Sequence, residues 1–204
     1  MKKILFLLTL SILCVGISFA QTPKIGITAG LNVSNITRDI GDNNFKAGFQ
    51  AGVVADFGIT DKFCIIPELL FSQRGANYGH SSFITTLNYL QLPINAAYKL
   101  DVGKSSKVFV FAGTYFGYGL SGNNKVAIIE FGQKDNHSEK VTFGSNENDV
   151  KAFDFGINVG VGYTYEKVFF KLQWNLGLMN LSNVSGISGR NTNIAVSVGY
   201  FFNE

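Results

Sequence analysis

Apolar and polar residues alternate with a period of two along most of this chain, the pattern of strands with one greasy face. From Ile25 the odd positions read Ile25, Ile27, Ala29, Leu31 and Val33, with Gly26, Thr28, Gly30, Asn32 and Ser34 between them. A second run sets Ala47, Phe49, Ala51, Val53, Ala55 and Phe57 against Gly48, Gln50, Gly52, Val54 and Asp56. A third, from Phe63 to about Ala76, sets Phe63, Ile65, Leu69 and Phe71 against Glu68, Ser72 and Arg74. A fourth sets Leu90, Leu92, Ile94, Ala96 and Tyr98 against Tyr89, Gln91 and Asn95. The fifth, Lys107 to Gly119, is apolar on both parities, and its faces stay unassigned. The sixth carries Phe153 to Tyr163 on odd positions, against Asp154, Asn158 and three glycines. The seventh places Val168, Phe170, Leu172, Trp174 and Leu176 opposite Lys171, Gln173 and Asn175. The eighth places Ile194, Val196, Val198, Tyr200 and Phe202 opposite Asn193, Ala195, Ser197 and Gly199. No helical period of useful length competes.

The connections alternate too. Residues 60–62, 101–106 and 166–167 are short polar turns, whereas residues 37–45, 77–86, 121–150 and 182–191 are longer and polar. Short turns at one end and long loops at the other predict an all-β fold: an eight-stranded antiparallel up-and-down transmembrane β-barrel. The segment 121–150 either lengthens its hairpin outward or moves.

The N-terminus sets the compartment. Met1-Lys2-Lys3 precedes an apolar run from Ile4 to Val15, and Ser18-Phe19-Ala20 supplies small residues before Gln21. This is a secretory signal peptide cleaved after Ala20, which divides the chain into residues 1–20 and a barrel domain at residues 21–204. The run is too short for a transmembrane helix. Leu13 before Cys14 is too large for a lipoprotein signal. The formal charge of +3 falls to near +1 without Lys2 and Lys3, which implies no nucleic-acid partner. With Cys14 removed, Cys64 stands alone, so neither a disulfide nor a cysteine metal site forms within the chain.

Composition decides which solvent the apolar face meets. Aromatic residues make up 14% and charged residues only 15%, against about 25% charged in soluble domains. A water-exposed polar face would carry many Lys and Glu. Here it carries mostly Gly, Ser, Thr, Asn and Gln, and so reads as a small enclosed lumen. The apolar face then meets lipid, where only a closed barrel satisfies the backbone of a sheet. Phe57, Phe63, Tyr98, Tyr163, Phe170, Tyr200 and Phe202 fall near the periplasmic ends, as an aromatic girdle does. A soluble lipocalin-type barrel is the non-membrane alternative.

Eight strands leave a bore that side chains fill. Gln50, Gln91, Asn95, Asn158 and Gln173 are candidate fillers, together with a charged network of Asp56, Glu68, Arg74, Asp154 and Lys171. Within it, Glu68 or Asp154 is expected to pair with Arg74 or Lys171, because a lone enclosed charge is costly. Pro67 and Pro93 interrupt two strand patterns and lie roughly opposite each other, which predicts one bulge or gap shared by the third and fourth runs. His80 and His137, beside Ser81 and Ser138, are the only histidines, and loop positions fix no nucleophile–base geometry. No catalytic, cofactor or metal motif is present. Asn35-Ile36-Thr37 and Asn180-Leu181-Ser182 match a glycosylation pattern that carries little weight in a bacterial context.

Several segments together resemble the PorT-type outer-membrane β-barrel family of Bacteroidetes-like bacteria. They are the signal peptide, Lys24-Ile25-Gly26-Ile27-Thr28-Ala29-Gly30-Leu31-Asn32, Pro67-Glu68-Leu69-Leu70-Phe71-Ser72, Tyr89-Leu90-Gln91-Leu92-Pro93-Ile94 and Phe111-Ala112-Gly113-Thr114-Tyr115-Phe116-Gly117. The resemblance implies a small OmpX-like, porin-like barrel in the cell envelope, with both prolines as expected features. It also implies a link to a protein-secretion apparatus. The usual terminal aromatic residue is displaced here by Asn203-Glu204. The expected protein is a monomeric, non-enzymatic barrel in the outer membrane. Its partners are outer-membrane lipid and, through the loops, envelope or secretion proteins. A lipid-modifying enzyme and a narrow pore are the other readings.

Overall fold

The computed structural model describes residues 22–38, 43–78, 83–130, 133–146, 149–184 and 188–203. The expected signal peptide, His80 and Ser81 lie outside these residues. Among them, ten strands follow one another: β1 (Lys24–Arg38), β2 (Asn43–Asn44), β3 (Lys46–Gly58), β4 (Phe63–Tyr78), β5 (Phe83–Asp101), β6 (Ser106–Glu130), β7 (Gln133–Val141), β8 (Phe153–Tyr165), β9 (Val168–Gly177) and β10 (Gly189–Phe201). Eight of them are barrel staves. Each pairs antiparallel with the next, and β10 pairs back onto β1 from Gly26↔Phe201 to Arg38↔Gly189, closing an up-and-down ring. β2 adds a short rung to β4, and β7 folds back on the outer part of β6. Within the segment 121–150, residues 121–130 and 133–141 therefore continue the wall outward as paired strands.

Alternation places the side chains. Ile25, Leu31, Phe49, Leu69, Leu92, Val159, Leu172 and Val196 point outward, and Leu31 is 74% exposed. Their opposite-parity neighbours Asn32, Gln50, Glu68, Gln91, Asn158, Lys171 and Ser197 are buried. The outward apolar spans Ile25 to Val33, Phe63 to Phe71 and Leu90 to Tyr98 each fit the about 9–11 residues that a tilted strand needs to cross hydrocarbon. At the short-turn end the belt finishes in aromatic residues. Phe63 and Tyr98 meet edge to face at 4.9 Å, Tyr200 and Phe202 at 6.1 Å, and the Tyr163 hydroxyl lies 3.0 Å from Ser106 Oγ. Rings with one polar tip suit the headgroup boundary.

The fifth run resolves into two apolar faces with different neighbours. Val110, Phe116 and Tyr118 face out, while Phe109, Phe111 and Tyr115 face the bore. The inward rings fit because glycines sit across from them on adjacent strands. A Cβ on Gly162 would lie 2.1 Å from the Phe109 ring, one on Gly160 2.3 Å from Phe111, and one on Gly199 2.1 Å from Phe169. These three glycines are thus seats for rings, and a side chain at any of them would collide with a packed aromatic.

Of the bulge or gap expected between the third and fourth runs, the structure shows the gap, and it adds a second one on the other side of β4. Pro67 faces Ile94, which puts Pro93 beside Glu68. The β4–β5 ladder stops at Pro67↔Ile94 and resumes at Leu70↔Gln91. The β3–β4 ladder runs from Phe57↔Ile65 to Val54↔Glu68 with nothing paired between. Neither break shifts the register. Each proline lacks an N–H, so each deletes a rung, one on either side of β4. The register shift in the wall lies elsewhere, between Asn88 and Tyr89 of β5 and the facing stretch of β6.

Two measurements check this architecture. Leu172→Arg, in mid-belt, should lose about 2–4 kcal/mol of folding stability in vesicles, whereas Phe202→Arg at the edge should lose about 0–1 kcal/mol, read by urea titration. In hydrogen exchange, the non-proline amides of residues 66–69 and 92–94 should exchange faster than those of β8 and β9. Uniform protection across all staves would refute the paired gaps.

Candidate functional site

The bore is layered, and each layer follows from which residues the alternation turns inward. Nearest the short turns is an apolar floor of Val54, Cys64, Ile66, Ala97, Phe109, Phe111, Phe169 and Phe201. Two ion pairs border it: Lys99 donates to Asp56, and Lys171 donates to Glu68 Oε1. Between them is a cavity of about 20 Å³, enough for one water, lined by both pairs and by Asn95. Glu68 Oε2 has no protein partner, so it is the natural acceptor for such a water. Below the floor a vestibule of about 770 Å³ opens among the short turns.

Above the floor lies a neutral amide layer. Gln50 Nε2 donates to Ser197 Oγ at 3.0 Å, Asn158 to Asn95, and Gln173 to Asn175. Next comes the most connected charge, Arg74, only 1% exposed. Its Nη2 donates to Gln91 Oε1 at 2.7 Å and its Nε to Ser72 Oγ at 3.3 Å, while Nη1 stands 3.8 Å from Asp154 Oδ2. The guanidinium lies 5.0 Å from the centre of the Tyr115 ring. Asp154 Oδ2 also accepts from Tyr115 Oη at 3.2 Å and from Asn191 Nδ2 at 2.8 Å. Here carboxylate, guanidinium, amide and phenol pair with one another, as a buried charge requires, while Asp154 Oδ1, Gln91 Nε2 and Asn191 Oδ1 have no protein partner.

A second apolar layer closes the outer end. Ile36, Ala76, Leu87 and Tyr89 are buried there, and Tyr78, Val141, Phe143 and Val150 pack on them. Phe143 meets Tyr89 edge to face at 5.9 Å and covers Gly119. Asn183 Nδ2 donates to the carbonyls of Gly144, Asn146 and Asp149 at 3.0, 3.0 and 3.1 Å, tying the β9–β10 connection to the segment after β7. Beside this closure a cleft of about 520 Å³ faces outward, floored by Leu87, Val141 and Leu181 and edged by Glu139, Lys140 and Asp149.

The five charged residues singled out in the sequence fall in two groups: Asp56 and Glu68 with Lys171 near the floor, and Arg74 with Asp154 higher up. Lys99, the partner of Asp56, was not among them. It shares the inward parity of Gln91 and Asn95, and extending that parity along β5 finds it. The ring-on-glycine floor was hidden because inward and outward rings look alike in sequence. On β7, His137 is exposed and pairs in register with Val126, while Ser138 Oγ donates to Asn123 Oδ1 at 2.9 Å. That hydroxyl is engaged with an amide. No group of three His, Cys, Asp or Glu side chains among the described residues could hold a metal ion.

A closed ring with an apolar outside, an aromatic girdle and a filled bore is the form of a small barrel of the bacterial outer membrane. Residues 19–183 match the family described as outer membrane protein beta-barrel domain. The chain belongs to that family. Its members' membrane is this protein's location, the outer membrane. Among solved structures, this outer-membrane barrel is similar to Ail, the attachment invasion locus protein of Yersinia pestis, at 11% identity. That likeness covers 89% of this chain and 100% of Ail, with a TM-score of 0.49. It is similar to Neisserial surface protein A at 14% identity, covering 89% and 100% of the two chains, with a TM-score of 0.47. It is also similar to OprG of Pseudomonas aeruginosa at 11% identity, covering 90% and 98%, with a TM-score of 0.47. Comparison with curated proteins gives no match.

The floor pair gives a direct test. Lys171→Met leaves Glu68 enclosed without its cation, and should cost about 3–5 kcal/mol in urea unfolding from vesicles. Adding Glu68→Leu should recover most of that loss. If the single variant were as stable as the parent, Glu68 would not depend on Lys171.

Proposed function

We propose that this outer-membrane barrel is non-enzymatic and acts through its outer rim, in envelope structure, adhesion or the binding of a partner protein. The observation that carries this reading is the double closure of the bore. The Phe109, Phe111, Phe169 and Phe201 floor and the Tyr89 and Phe143 roof bracket a polar layer whose charges are paired with one another. Such an interior favours rigidity over transport. What remains for recognition is the extension beyond the belt, where β6 and β7 project on a firm scaffold.

The test has two arms. In planar bilayers the folded protein should show no discrete conductance steps. Replacing residues 125–138 with a short turn should leave the heat-modifiable band on gels intact, while adhesion of cells displaying the protein falls to the level of cells lacking it. Conductance steps, or adhesion indifferent to the shortened hairpin, would overturn the reading.

A role as an accessory in protein secretion, the PorT-type reading, is the alternative. The vestibule at the short-turn end favours it. Lys24, Lys99, Lys104, Lys107 and Lys167 line it, opposed by Asp56, Asp61 and Glu166, a surface suited to an acidic periplasmic partner. Normal secretion in a strain lacking the gene would exclude it.

A further inference from the structure

The outer wall changes character abruptly along β4, β5 and β6. Phe71, Leu90, Tyr118 and Leu120 face outward at the last level of the belt. One step beyond them come Gln73, Asn88 and Ser121, joined side chain to side chain. Gln73 Nε2 donates to Asn88 Oδ1 at 3.3 Å, and Asn88 Nδ2 donates to Ser121 Oγ at 2.9 Å. The register shift in β6 produces this edge. Tyr89 faces Gly119, but Asn88 faces Ser121, so Leu120 is an extra residue on its strand. A bulge of this kind re-aims every residue that follows. Below it the even residues Phe116, Tyr118 and Leu120 point out; above it the odd residues Ser121, Asn123 and Lys125 do. With an unbroken ladder, Gly122, Asn124 and Val126 would face out instead.

β7 widens the polar face. Lys140 stands opposite Asn123 and Ser138 opposite Lys125, and the Ser138 hydroxyl donates to Asn123. Lys125 and Lys140 are exposed, and neither pairs with a carboxylate among the described residues. The result is a panel of amides and hydroxyls, with Ile84 opposite Lys125 at its upper edge and two cations that no described carboxylate pairs, continuous with the lipid-facing belt directly below.

We propose that this panel seats the phosphorylated saccharide headgroup of an outer-leaflet lipid. Depth is the first reason. Side chains one step lower lie among acyl chains, so Gln73, Asn88 and Ser121 stand at headgroup level. Chemistry is the second. Amides and hydroxyls both donate to and accept from sugar hydroxyls, and an ammonium pairs with a phosphate. The bulge is the third, because it turns toward the lipid the residues able to make these contacts. The panel lies on the lipid-facing side of the same β6–β7 hairpin that the proposed function uses, so lipid binding is read separately from adhesion.

The full-length protein, folded in phosphatidylcholine vesicles, is titrated with lipopolysaccharide, with enzymatically dephosphorylated lipopolysaccharide, and with inorganic phosphate. Binding is read by the change in tryptophan fluorescence and by the shift in thermal midpoint. The parent should bind intact lipopolysaccharide at least tenfold more tightly than the dephosphorylated form, and should not respond to inorganic phosphate. Lys125→Gln with Lys140→Gln should weaken binding at least tenfold while heat modifiability stays normal. Asn88→Leu should weaken it severalfold. Lys62→Gln with Lys104→Gln, at the opposite end of the barrel, should change nothing. Equal binding by the Lys125/Lys140 variant and the parent, equal binding of both lipids, or an equal loss from the Lys62/Lys104 variant would each overturn the assignment.

Discussion

Every other feature of this molecule depends on the hydrogen-bonded seam between β1 and β10. Hydrocarbon offers no partner to a bare N–H or C=O, so a sheet in a bilayer is stable only when its first and last strands pair. Here that seam runs the length of both strands. Closing on eight staves fixes the diameter, and a bore that narrow must be filled by its own side chains. Outward residues are then free to be uniformly apolar, and inward residues must be chosen for fit. The rings of Phe109, Phe111 and Phe169 lying against glycines show how close that fit is.

Filling the bore with charge is costly unless the charges answer one another. Lys171 with Glu68 and Lys99 with Asp56 near the floor, and Arg74 with Asp154 and Gln91 above them, meet that condition. The prolines relax the wall beside the first of these. Gaps on both flanks of β4 leave Glu68 in the least firmly knitted stretch of the cylinder, where its pairing across the bore to β9 supplies cohesion that the ladder lacks. Backbone discontinuity and side-chain cross-link thus occur together.

Much of this was legible in the sequence, for a simple reason. Alternation with sparse charge fixes which face meets lipid, and turn lengths fix which end is which. What could not be read depends on distances between strands far apart in the chain. Glu68 and Lys171 share a parity, but so do Asp154 and Arg74, and only the register decides who reaches whom. On β6, rings of both parities are equally apolar; glycines on β8 decide which ones the bore can hold. The Asn88/Tyr89 shift leaves no mark in composition, although it reverses the facing of every residue after it. Residues 121–130 and 133–141 fall in a stretch polar enough to read as loop, and they form strand because β5 and β6 carry an established ladder outward for β7 to join.

The first and last staves are also tied at that seam by Asn203, which accepts from the Ile25 amide and donates to the Pro23 carbonyl. The opening stave therefore acquires its second neighbour only when the closing stave arrives. No shorter product of synthesis can be sealed, and a chain cut anywhere before β10 carries two raw edges wherever it goes. Insertion and completion are one event for such a molecule, and until that event something other than the membrane must shelter the unfinished sheet.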